Sequence, residues 1–192
     1  MVEFRAFTPS TAIPPETIAE FADRAPAGAA QMWRQYGAGA VGDDGFVRVI
    51  DPARGRQMLA GSLPLPESAV PMFTTGLGDV LMWTGSMFLL FTFRWGTLRF
   101  TPEGFTLDEL TALLEDEPTL DRELQRQPYP AAVARDGVPA HEECFGFVPL
   151  LALGGPNEAS NLQRMGLYEH IALITQMAGS PKPVGFLFAG DK

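Results

Sequence analysis

Hydrophobic positions recur along this chain of 192 residues with two different periods, and the change between them outlines its organisation. In residues 14–24 and 26–36 the apolar side chains fall three and four apart. Ile18, Phe21 and Ala22 share one face and Ala29, Met32, Trp33 and Tyr36 another, and each stretch carries a proline where a first helical turn tolerates one. Gly37 is placed to stop the second helix. Asp43-Asp44-Gly45 predicts a turn into a short strand over 46–50, and Asp51-Pro52 predicts an N-cap and first-turn proline for a helix running to about Ala60. From residue 70 to residue 100 the pattern turns to β-branched and aromatic runs at 70–75, 80–84, 87–94 and 97–100, punctuated by Gly76, Gly78, Gly85 and Gly96. Connections this short cannot hold crossover helices, so the expected sheet is an antiparallel meander.

The second half returns to helical spacing. Thr106-Leu107-Asp108-Glu109 has the form of a capping box, with Leu107, Leu110 and Leu114 facing inward and carboxylates outward. A helical region broken at Pro118, Pro128 and Pro130 follows, then a buried strand over 145–153 that ends at Gly154-Gly155. A final helix is expected over 161–178, with Leu167, Ile171, Ile174 and Ala178 on one stripe and Gly179 and Pro181 as its stop. The fold class is therefore α+β: an antiparallel meander sheet with N-terminal helices, then a helix-rich second half with one buried strand and a long C-terminal helix.

Charge adds a division that hydropathy does not show. The chain carries 14 basic and 23 acidic residues, a net −9. This excludes the basic stripe of a direct nucleic-acid binder and suits either a basic protein partner or plain solubility. Residues 1–102 hold 8 basic and 9 acidic groups, net −1, while residues 103–192 hold 6 and 14, net −8. A boundary near Thr101-Pro102 is expected, with the two parts free to pack as one compact unit. The uncharged run at 80–93 is 14 residues, short of the roughly 20 that span a bilayer, and no apolar leader follows Met1-Val2-Glu3-Phe4-Arg5. A cytoplasmic protein is expected. Its lone cysteine, Cys144, excludes an internal disulfide and any cysteine-rich zinc site.

Few residues have the spacing of a reactive site. His141-Glu142-Glu143-Cys144 brings three ligand types together but lacks a second cysteine, and the only other histidine is His170. Cys144 reads as a small buried hydrophobe. The Gly154-Gly155 loop, between an expected strand and helix, could cradle a phosphate, yet it lacks a lysine and matches no phosphate-loop pattern. Asp43, Asp44, Asp51 and Asp79 could be assembled around a hard cation, but each suits a local turn or cap. No catalytic constellation, cofactor or metal is expected. Two readings stay open beside a partner-binding one: a small-ligand or enzymatic domain using the Gly154-Gly155 loop with His141 or His170, and a protein-interaction domain of some other kind.

The order of motifs carries a resemblance. Trp33-Arg34-Gln35-Tyr36-Gly37, Gly45-Phe46 with Val49-Ile50-Asp51-Pro52, and Thr75-Gly76-Leu77-Gly78-Asp79 followed by Met82-Trp83 resemble the GAD-related domain of bacterial proteins. Glu143-Cys144-Phe145-Gly146-Phe147-Val148-Pro149, with Leu151-Ala152-Leu153-Gly154-Gly155, Asn161-Leu162 and His170, resembles the domain that commonly follows it. Together they are similar to type VI secretion immunity proteins, and the early helix, tryptophan and Asp-Pro pattern is similar to the broader SUKH immunity class. The resemblance implies a cytoplasmic inhibitor without chemistry of its own. It would bind a cognate DNase effector as a monomer or in a 1:1 complex, block it sterically and electrostatically, and touch neither nucleic acid nor membrane. Charge places the expected contact with a basic nuclease surface at Asp108, Glu109, Glu115, Asp116, Glu117, Asp121 and Glu123.

Overall fold

Glycine and proline punctuation gives a computed structural model, describing residues 2–188, in which most of the strands join one long sheet. The first half runs β1 (Phe7–Thr11), α1 (Pro15–Ala22), α2 (Ala29–Tyr36), β2 (Ala38–Val41), β3 (Val47–Val49), α3 (Pro52–Leu59), β4 (Val70–Thr75), β5 (Val80–Trp83), β6 (Phe88–Thr92) and β7 (Thr97–Phe100). The second half adds α4 (Leu107–Leu114), α5 (Glu117–Glu123), α6 (Pro128–Asp136), β8 (Glu143–Phe147), β9 (Leu162–Gly166), α7 (Leu167–Ala178) and β10 (Lys182–Phe186).

The meander expected over residues 70–100 is present as β4 to β7, and β1 to β3 extend it, all seven strands pairing in chain order and antiparallel. Its middle is buried on both faces, which is why residues 80–93 read as one uncharged run. Val80 and Met82 of β5 stand opposite Phe91 and Leu89 of β6 on one face, against α3 and α7. Leu81 and Leu90 pair on the other face, in the cluster that includes α1, α2 and α4. Local signals set the helix ends. Asp51 accepts from the amides of Ala53 and Arg54, Thr106 and Glu109 form the capping box, and Gly37 ends α2 at φ 69°.

The second half departs from expectation in its strands, with three where one was expected. β8 stops at Phe147, because Pro149 has no N–H to extend a ladder, and a 3-10 turn occupies Leu151–Leu153. The segment expected to begin the last helix instead forms β9, paired antiparallel with β8, so α7 starts at Leu167 and leaves Ala178 exposed. Leu162 and Met165 stand three apart, a spacing that fits a helix or a strand, and pairing with a distant segment decides it. β10 runs parallel to β7 and forms the sheet's far edge. β1 and β2 also escape sequence reading, since Phe7–Thr11 and Ala38–Val41 carry proline, serine, glycine and alanine, weak strand formers. Both hydrophobic clusters take side chains from either side of Thr101-Pro102: Tyr129, Phe145 and Leu162 join the first, and Cys144, Leu167 and Ile171 join the second.

Candidate partner-binding surface

The seven carboxylates expected to meet a partner occupy α4, α5 and their junction, and most have work within the fold. Glu109 accepts from the Thr106 amide at 2.8 Å and the Thr106 hydroxyl at 2.7 Å, bonds that hold its carboxyl below the usual range. Asp116 caps α5 by accepting from the Thr119 amide, with the same effect on its carboxyl. Glu115 accepts from the Arg5 backbone amide at 2.7 Å, which ties the N-terminal segment to the end of α4. Asp121 pairs with Arg126 at 3.0 Å. Glu123, its side chain only 12% exposed, lies between Arg99 and Arg122. Asp108 is exposed, and so is Glu117, its side chain 76% exposed at 3.6 Å from Arg126.

They do not form one patch. Glu115 and Glu117 border a depression of about 200 Å³ together with Arg5, Asp43, Asp44 and Arg126. Glu3, Arg5, Asp108 and Glu115 border an adjoining one of about 250 Å³. Glu123 borders a separate hollow with Arg94, Trp95, Arg99 and Val184. The fold therefore assembles an acidic face from Glu3, Asp43, Asp44, Asp108, Glu115 and Glu117. Three of these, Glu3, Asp43 and Asp44, belong to a half whose net charge is near zero. No sequence signal joins them to α4 and α5, because the antiparallel register of β2 and β3 sets the Asp43-Asp44 turn beside α5. Arg126 is the anchor of that junction, pairing with Asp44 at 2.9 Å while Tyr129 donates to the Asp44 carbonyl.

The other candidates resolve into structural roles. Asp79 was expected to serve a local turn. It is fully buried and holds Arg94 through two bonds, of 3.0 and 3.3 Å, while Arg94 also donates to the Leu124 and Gln125 carbonyls. Burial raises the Asp79 carboxyl above its usual range against the pull of Arg94. Arg48 is buried among the carbonyls of Gly45, Pro139, Ala140, His141 and Glu143, which binds β3 to the segment before β8. Glu142 pairs with Arg54 at 2.9 Å, and burial pushes the Cys144 thiol up to about 12, far from a nucleophilic thiolate. The Gly154-Gly155 loop leads to a 3-10 turn at Ala159–Asn161 and then β9, not to a helix N-terminus, so the phosphate-cradle geometry is not formed there. Among the described residues no group of three His, Cys, Asp or Glu side chains is set to hold a metal, and no helix is long and apolar enough to cross a membrane.

Comparison with known proteins bears on the same region. A solved structure, "Crystal structure of Atu4351 from Agrobacterium tumefaciens", superposes with a TM-score of 0.71 over 88% of this chain and 85% of that one, at 13% identity, a likeness of fold. No curated protein matches the chain. Residues 105–178, which run from the start of α4 to the end of α7, match the family described as T6SS immunity protein Tdi1, C-terminal, and this match supports a type VI secretion immunity protein.

Proposed function

We propose that this protein neutralises a secreted nuclease effector, a DNase, by covering its basic surface with the acidic face centred on α4 and α5. The observation that carries the reading is the family match, whose span begins at the capping box of α4 and contains every carboxylate of the α4–α5 segment. Within this proposal residues 1–102 are a GAD-related unit and residues 103–192 the immunity-type unit. The inhibitor acts in the cytoplasm, one copy to one effector, and does no chemistry itself. Asp108 and Glu117, with Asp43, supply exposed charge, whereas Glu109, Asp116, Asp121 and Glu123 shape the helices that present it and half-buried Glu115 ties them to the N-terminal segment. Charge of this kind steers encounter and fixes register, and the packed contacts beneath it set residence time.

Co-production with the product of the neighbouring gene, as the candidate effector, tests the reading in a living cell. Host DNA should stay intact when both proteins are made and be degraded when the effector is made alone. Degradation undiminished by this protein would overturn the proposal.

A further inference from the structure

On the β8–β9 hairpin Cys144 stands directly opposite Met165, so their side chains share one face, and Gly146, two residues on, shares it too. His170, from the first turns of α7, lies over Gly146: its Nε2 and the Met165 Sδ are each 2.5 Å from the place a β-carbon on Gly146 would take. On the neighbouring side, Cys144 Sγ and the His170 ring are each 3.5 Å from the equivalent position on Gly78. Two glycines thus admit the imidazole close to the thioether on one side and beside the thiol on the other. His170 is 3% exposed, and neither ring nitrogen has a hydrogen-bond partner. A buried polar group left unpaired is costly, and it calls for a ligand that the protein chain does not provide.

The geometry points to a binding site for a soft monovalent cation, Cu(I), held by Cys144 Sγ, Met165 Sδ and His170 Nε2. Thiolate and thioether sulfur with one imidazole is the donor set that selects Cu(I) over harder ions. Charge agrees. In binding, the ion replaces the thiol proton, which leaves to solvent, and one thiolate with one monovalent cation is neutral among Leu167, Ile171 and Val80. A divalent ion would leave a buried positive charge, and no carboxylate oxygen is among the three donors. Met165 is half-buried and marks the side open to solvent.

The test presents the intact protein with Cu(I) under a reductant, in competition with the chelator bathocuproine disulfonate. The chain should retain one equivalent and release one proton. Met165→Leu, close in shape, and Cys144→Ala should lose the ion while keeping the native circular dichroism. Because the chain has 2 histidines, one ring resonance should shift on loading and the other should not. Failure to retain Cu(I), retention by both variants, or unmoved histidine signals would overturn the site. None of these outcomes depends on the effector, so the immunity reading stands or falls separately.

Discussion

His170 is the residue whose burial has the most direct consequence for stability. With both nitrogens unpaired and the ring enclosed, desolvation lowers its pKa to about 4, from 6.5 in an unfolded chain. Between these values the unfolded chain takes up a proton that the folded chain does not. Stability contributed by neutral His170 is therefore complete above about pH 6.5 and falls progressively as pH drops toward 4, by a total on the order of 3 kcal/mol. Urea unfolding at pH 7 and pH 4.5 reads this directly. His170→Leu should show a smaller loss between the two pH values than the parent, and equal losses would mean that the imidazole is solvated in the fold. Asp79 and Arg94 show a different principle at the same scale. Each is almost fully enclosed: Arg94 is met by Asp79 and by the Leu124 and Gln125 carbonyls, and Asp79 by Arg94 and the Thr75 hydroxyl.

At the scale of elements, α4 and α5 present the charge, and their short length makes caps important. α4 spans eight residues and begins with the reciprocal bonds of Thr106 and Glu109. Thr106→Ala removes one of them, and should lower unfolding free energy by about 1 kcal/mol in urea titrations. Association with a partner should keep its rate, since the exposed carboxylates remain, so a large kinetic effect would make the capping box part of the interface. This element was legible in advance because its signal is local: four residues fix its start and leucine spacing fixes its inner face. The strands β4 to β7 were legible for the same reason, being set off by Gly76, Gly78, Gly85 and Gly96. β1, β2, β9 and β10 were not, because pairing of β1 with β2, β2 with β3, β9 with β8 and β10 with β7 makes them strands, and their own residues do not require it. Arg94 shows the same limit. Its position after β6 reads as strand, but a 3-10 turn ended by Gly96 swings it toward Asp79.

For the whole molecule, the charge division at Thr101-Pro102 is visible in the sequence and the assembled acidic face is not. Cross-links stitch the two parts together, among them Arg5 to Glu115, Asp44 to Arg126, Arg48 to the segment before β8, Arg54 to Glu142, Arg94 to the Leu124 carbonyl and Arg99 to Glu123. These bring Glu3, Asp43 and Asp44 beside α4 and α5, so an acidic face appears that neither part holds alone. Seven candidates chosen by charge contained both kinds of residue, those that face outward and those that build the helices, and only tertiary structure separates them.

The central claim is that this face meets a basic nuclease. The most direct measurement is the association of the purified chain with the product of the neighbouring gene, as the candidate effector, followed across salt concentrations together with DNA cleavage by the mixture. The parent should form a 1:1 complex that no longer cleaves DNA, and Asp43→Lys with Glu117→Lys should slow association about tenfold or more and flatten its salt dependence. Absence of a complex, or cleavage that persists within one, would contradict the account, and a double variant that associates at the parent's rate would remove the acidic face from the interface.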